Sequence, residues 1–183
     1  MAAAAQRISI IGISGAGKTT LSRTLATRLG VERLELDAIQ HQAGWREIDP
    51  EEFRRRVRAF VEAPRWVIDG NYEGVGVLDI VWERADTVIW LDLPKPLIMR
   101  RVAWRSLRRL LTREELWNGN RERLRELMSL DPHRSIVMWA WYDYDRKRAK
   151  YEERFAEAKW QHLRLERLRS PAEVRDWLAA NRE

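Results

Sequence analysis

At 183 residues and 45% hydrophobic composition, the chain can bury a sizeable core as one domain and is not wholesale disordered. It has no cysteine, which excludes disulfides and thiolate metal sites, and its opening apolar segment falls short of the ~20 residues of a membrane helix, so a cytoplasmic protein without membrane association is expected. The net charge of +6 is concentrated in residues 100–150, where 14 Lys or Arg face 7 Asp or Glu, and this points to a local anionic partner, either nucleic acid or a polyphosphate.

In chain order, residues 6–12 (QRISIIG) read as a first strand, and 17–29 as a helix with Leu21, Leu25 and Leu29 on one face and Gly30 as its C-terminal cap. RLEL (33–36) reads as a second strand. Asp49-Pro50-Glu51-Glu52 opens a helix with a capping Asp, Pro at the first helical position and Glu at the third. Its apolar stripe is Phe53, Val57, Phe60 and Val61, and Pro64 prevents continuation. WVI (66–68), TVIWLDL (87–93) and HLRLERL (162–168) give three more strands, and Ser170-Pro171-Ala172-Glu173 repeats the capping logic ahead of Val174, Trp177 and Leu178. Strands alternating with helices predict an α/β fold with a parallel sheet covered on both faces. Residues 95–160 break the alternation with a helical insertion, in which Thr112-x-x-Glu115 reads as a cap and Asp131-Pro132 as a break. The whole chain, 1–183, is taken as a single domain carrying that insertion.

Chemistry enters at Gly12-Ile13-Ser14-Gly15-Ala16-Gly17-Lys18-Thr19, a full P-loop pattern between an apolar strand and a helix start. Glycines let consecutive backbone N–H groups curl toward phosphate oxygens, and the helix N-terminus adds a favourable dipole. Lys18 reaches for β- and γ-phosphates, and the Thr19 hydroxyl for Mg²⁺. The expected nucleotide-binding set is Gly12, Ser14, Gly15, Ala16, Gly17, Lys18, Thr19 and Thr20. A carboxylate at the end of a neighbouring strand is needed to hold the metal through its waters. Asp37 (LELD), Asp69 (WVID) and Asp92 (VIWLD) all end apolar runs.

With these motifs the chain resembles P-loop kinases of the nucleoside-monophosphate-kinase type, the group of adenylate kinase. LDAIQHQAGW, VIDGNY, IWLDLP and RRVAWRSLRR are similar to the adenylate-kinase-related bacterial proteins labelled DNA topology modulation proteins. The resemblance implies a five-stranded sheet ordered 2-3-1-4-5 and a mobile helical lid carrying arginines. It also implies the Mg²⁺–water role for Asp69 of the Asp69-Gly70 pair, and a place beside the adenine for Ser170 and Pro171. Where adenylate kinases follow Asp-Gly with an aromatic residue, Pro and a phosphate-binding Arg, this chain has Asn71-Tyr72-Glu73, which argues against AMP as acceptor. An Asp in the position of Asp37 resembles relatives that phosphorylate a small-molecule hydroxyl, where a carboxylate can act as general base. Asp37, His41, Trp45, Asn71 and Tyr72 are the expected acceptor-side residues.

Arg100, Arg101, Arg105, Arg108 and Arg109 recur at three- and four-residue spacing, which puts several on one helical face. Arg101 and Arg105, one turn apart, suit stabilisation of charge on a transferring phosphoryl group, and Arg146 or Arg148 would supply a second arm. Trp104, Trp117, Trp139, Trp141 and Tyr142 lie among these basic residues. Core packing is the favoured reading for them, and base stacking on single-stranded nucleic acid the alternative. His133 and His162 have no partners at metal-site spacing. The sequence therefore predicts an ATP-binding, Mg²⁺-dependent phosphotransferase with a small-molecule or nucleotide acceptor. The alternatives are a nucleic-acid-associated ATPase and a nucleotide-binding regulator with little turnover.

Overall fold

Five short strands pair side by side at the centre of the structure, a computed structural model that describes residues 6–121 and 135–181. They are β1 (Arg7–Ile11), β2 (Glu32–Glu35), β3 (Trp66–Asp69), β4 (Thr87–Leu91) and β5 (Arg164–Leu168). Counted in this way they run 2-3-1-4-5 across the sheet, every pairing parallel. The α/β class and the strand order are those expected. Parallel strands are linked by helical crossovers that cover both faces, so β3 and β4 are buried at every position.

Seven helices surround the sheet among the described residues: α1 (Lys18–Leu29), α2 (Leu36–Gln40), α3 (Pro50–Val61), α4 (Val77–Arg84), α5 (Lys95–Thr112), α6 (Ile136–Ala156) and α7 (Pro171–Ala180). Alternation along each strand divides the core. Trp66 and Ile68 point to the face covered by α3 and α4, with Phe53, Val57, Leu78 and Trp82. Val67 and Ile89 point to the other face, with Leu21, Leu25, Ile98 and Val102 of α1 and α5. Trp82 stacks on Phe155 at 4.8 Å between ring centroids and meets Trp160 edge-on at 5.3 Å, which ties the end of α6 to α4. The caps at α3 and α7 form as their sequences indicate. Asp49 accepts from the amides of Glu51 and Glu52, and Ser170 from that of Glu173.

Several local expectations change. Strand β2 stops at Glu35, and Leu36 begins the short helix α2, so Asp37 stands in a helical turn and not at a strand end. Helix α4 had no expectation at all. Thr112 does not cap a new helix; it belongs to the last turn of α5, where its hydroxyl donates to the Arg108 carbonyl, and Arg113 ends the helix in a left-handed conformation (φ 50°). The stretch 95–160 is anchored in the core at both ends, since Ile98, Val102 and Tyr151 are almost wholly buried. Trp104, Trp141 and Tyr142 are exposed, not core: Trp104 lies nearly opposite Val102 on α5, and Trp141 carries the Lys95 ammonium over its ring. Asp131-Pro132 and His133 lie outside the described residues. Among the described residues no helix is long and apolar enough to cross a membrane.

Gly70 follows β3 with φ 140°, and a Cβ there would stand 2.7 Å from that of Leu36. Gly70→Ala should therefore destabilise the fold by at least about 2 kcal/mol in urea denaturation. Gly74→Ala, where nothing lies within 4 Å, should change stability by no more than about 0.5 kcal/mol.

Candidate active site

The loop between β1 and α1 curls through three glycines of positive φ: Gly12 (147°), Gly15 (86°) and Gly17 (101°). At Gly15 the backbone passes so close to α5 that a Cβ would meet Val102 Cγ2 at 2.5 Å. Gly17 caps α1, whose first amides face the loop as an anion site. Lys18 spans this loop, its Nζ donating to the carbonyls of Gly12 at 2.8 Å and Ile13 at 3.3 Å. Burial pushes the Lys18 ammonium below its ordinary pKa; Asp37 and Asp69 pull it back, and Lys147 and Arg105 push it further down. Asn71 grips the start of the loop. Its Oδ1 accepts from the Gly12 amide at 3.2 Å, and its Nδ2 donates to the Gly12 carbonyl at 2.5 Å. The side chain expected on the acceptor side thus braces the phosphate loop. Thr20 is exposed on the first turn of α1.

Two carboxylates end the strands beside the loop, and one of them meets Thr19. Register places Glu35 of β2 opposite Asp69 of β3, and Asp69 opposite Ile10 of β1, at the strand ends nearest the loop. Glu35 Oε1 accepts from the Thr19 hydroxyl at 3.3 Å. Asp69, almost fully buried, accepts from Ser22 Oγ and, at 3.1 Å, from Arg33. Burial raises the Asp69 pKa, the Ser22 bond opposes this, Glu35 adds to it, and Lys18 and Arg33 hold it back. Glu35 was not singled out from sequence; the available signal was its spacing from Asp37 in LELD. Asp92, the other strand-end candidate, is engaged elsewhere: its Oδ2 accepts from Arg167 at 2.7 and 2.9 Å, with Arg148 at 3.4 Å. A hydroxyl and two carboxylates suit Mg²⁺, which binds through one or two carboxylates, substrate phosphates and waters.

A polar row leads outward from Lys18. Asp37 Oδ1 accepts from the Tyr72 hydroxyl at 2.6 Å, and that hydroxyl lies 3.5 Å from His41 Nε2. Burial and the Asp37 charge raise the Tyr72 pKa, so the phenol stays protonated and donates. The His41 ring lies 5.4 Å from Trp45 and 5.6 Å from Trp117. Trp45 holds a left-handed φ of 59°, costly for a bulky side chain, and its amide donates to Asn120 Oδ1 at 2.9 Å. Asn118 donates to the His41 carbonyl at 2.5 Å. The segment after α5 therefore docks on the loop after α2.

The arginines separate by helical phase. Arg105 donates to Ser14 Oγ at 2.8 Å and Arg101 to the Ala16 carbonyl at 3.3 Å, so both lie on the phosphate loop. Arg146 does not. Its side chain is 73% exposed and paired with Asp143 on its own helix. Lys147, one residue on, lies over the Trp139 ring and is among the charges felt by Lys18. Arg108 pairs with Glu114, and Arg148 with Asp92 and Glu152. Ser170, expected beside the adenine, engages Glu173 in the α7 cap, with Pro171 at the first helical position.

The chain is similar to several known proteins. A family model described as an AAA domain matches residues 8–68. A shikimate kinase of Thermosynechococcus vestitus (strain NIES-2133 / IAM M-273 / BP-1) is 31% identical over 138 residues, spanning 69% of this chain and 73% of that protein. One from Synechococcus elongatus (strain ATCC 33912 / PCC 7942 / FACHB-805) is 27% identical over 138 residues, spanning 62% and 70%. Among solved structures, shikimate kinase from Acinetobacter baumannii in complex with shikimate superposes with a TM-score of 0.56 at 19% identity, covering 96% of this chain and 89% of that one. Shikimate kinase from Bacteroides thetaiotaomicron gives 0.52 at 16% identity, covering 97% and 98%.

The raised Asp69 pKa has a consequence for the empty protein. The folded state holds that proton more tightly than the unfolded state, so stability falls as pH rises from the ordinary value of 3.8 through the raised one. Asp69→Asn removes this loss. Its stability relative to wild type should climb as pH rises above the ordinary value of 3.8 in urea titrations without ligand, and a pH-independent difference would contradict the assignment.

Proposed function

The chain belongs to the shikimate kinase family of P-loop kinases, and from that premise we propose that it transfers the γ-phosphoryl group of ATP to a hydroxyl of a small molecule, with Mg²⁺. One observation carries the reading: the buried P-loop lysine feels the charges of two carboxylates, Asp37 and Asp69. Thr19, Glu35 and Asp69 would hold the metal, which would neutralise developing negative charge. Lys18 would exchange its loop carbonyls for phosphate oxygens. Arg101 and Arg105, and Lys147 in place of Arg146, would face charge on the transferring group.

Asp37 would accept the acceptor's proton through the oxygen that Tyr72 leaves open, and His41, Trp45 and Trp117 would enclose the acceptor's body. Residues 117–121, docked on the loop after α2, would help exclude water from the transfer. The relatives' name makes shikimate the first acceptor to test; AMP remains disfavoured by Asn71-Tyr72-Glu73. A second reading, a nucleic-acid-associated ATPase, draws on the outer face of α5, where exposed Trp104 lies between Arg100 and Arg108. Single-stranded DNA affinity that falls steeply with salt would favour it.

ADP formation should be stimulated by one member of a panel of shikimate, small polyols and nucleosides. Lys18→Ala should lower that turnover by about a thousandfold or more while the fold persists in circular dichroism. Asp37→Asn should lower kcat by about a hundredfold or more and leave ATP affinity unchanged in equilibrium binding. Retained turnover in Lys18→Ala, or ADP formation indifferent to every acceptor, would contradict the kinase reading.

A further inference from the structure

Strand β2 lies at the edge of the sheet, where an arginine ordinarily points to solvent. Arg33 is instead only 22% exposed, and its fork is shared between two carboxylates. Nη1 donates to Asp69 Oδ2 at 3.1 Å and to Ser22 Oγ at 3.2 Å, and Nη2 donates to Glu35 Oε2 at 3.1 Å. Alternation along β2 puts Arg33 and Glu35 on one side, and register brings Asp69 opposite Glu35, so one guanidinium reaches both. Each carboxylate is held through one oxygen. In Glu35 the other oxygen is the one turned to the Thr19 hydroxyl.

We propose that Arg33 is a positioning residue for the divalent cation: it pins the outer oxygens of Glu35 and Asp69 so that their inner oxygens face the metal beside Thr19. The inference rests on the proposed assignment of those three residues to Mg²⁺. Two effects compete. A fixed positive charge near the site repels a cation, which favours weaker binding in the presence of Arg33. Against that, two adjacent carboxylates without a shared donor repel each other and turn apart, and loss of a group that orients metal ligands typically costs about 10–100-fold in affinity. Orientation wins here, because the Glu35 carboxylate stands between the guanidinium and the Thr19 hydroxyl. A lysine keeps the charge but cannot form two directed bonds from one planar group.

The test uses Mn²⁺ as a paramagnetic probe, its free concentration read by electron paramagnetic resonance with the full chain and a non-hydrolysable ATP analogue. Arg33→Ala and Arg33→Lys should each weaken Mn²⁺ binding about 10–100-fold, while affinity for the analogue in EDTA and the circular dichroism spectrum stay at wild-type values. Wild-type or tighter Mn²⁺ binding in Arg33→Ala overturns the proposal, as does wild-type binding in Arg33→Lys, which would reduce the residue to its charge. Should Arg33→Ala fail to fold, Arg33→Lys decides alone. Asp69→Asn separates the two levels. If it weakens Mn²⁺ binding and the Arg33 variants do not, only this inference falls; if it too has no effect, the metal assignment falls with it.

Discussion

The alignment of Glu35, Asp69 and Ile10 across three parallel strands is the constraint on which the site depends. Parallel strands all finish on the same side of a sheet, so the loops that follow them converge there. The sheet order places β1 in the middle, and the phosphate loop springs from its end with a carboxylate-bearing strand beside it and another beyond. A slip of one residue in the β3 register would turn Asp69 to the opposite face and replace it with Ile68 or Gly70. Burial of β3 on both sides makes such a slip costly, and the precision of the site follows from that packing.

The site holds charges that its surroundings oppose. Burial disfavours the charged forms of both Lys18 and Asp69, and each is relieved in part by the other. In the proposed function, a polyphosphate with a divalent cation would supply partners for both at once. Until then Lys18 rests on two loop carbonyls, and the Asp69 carboxylate on Ser22 and Arg33. Fixed groups aimed at charge that arrives with substrate need little reorganisation when it does. The empty protein carries a stability penalty for that readiness.

Local chemistry was legible in the sequence, and phase and register were not. The phosphate loop could be read because its glycines, Lys18 and Thr19 sit at fixed offsets between a strand and a helix. Helix α5 could be phased because Ile98 and Val102 mark its buried stripe, which carries Arg101 and Arg105 onto the loop. In α6 the run Asp145-Arg146-Lys147-Arg148 is phased by the buried Tyr144 and Tyr151, a signal that the basic cluster masks, and one residue is a rotation of about 100°. Arg146 was therefore placed where Lys147 stands. Glu35 went unremarked because the apolar Leu36 extended the apparent strand, and the true strand end is settled by pairing with β3. Asn71 reads as a turn or acceptor residue; that it braces Gly12 depends on a contact between distant parts of the chain.

The central claim is that Lys18, Thr19, Glu35 and Asp69 form one phosphate-and-metal site with Asp37 on its acceptor side. A crystal structure of the chain with Mg²⁺ and a non-hydrolysable ATP analogue tests it most directly. The account predicts that Lys18 Nζ leaves the Gly12 and Ile13 carbonyls for phosphate oxygens, with the metal beside the Thr19 hydroxyl and the γ-phosphate facing Asp37. Lys18 still on its carbonyls, with the metal held at Asp92 or away from Glu35 and Asp69, would contradict it.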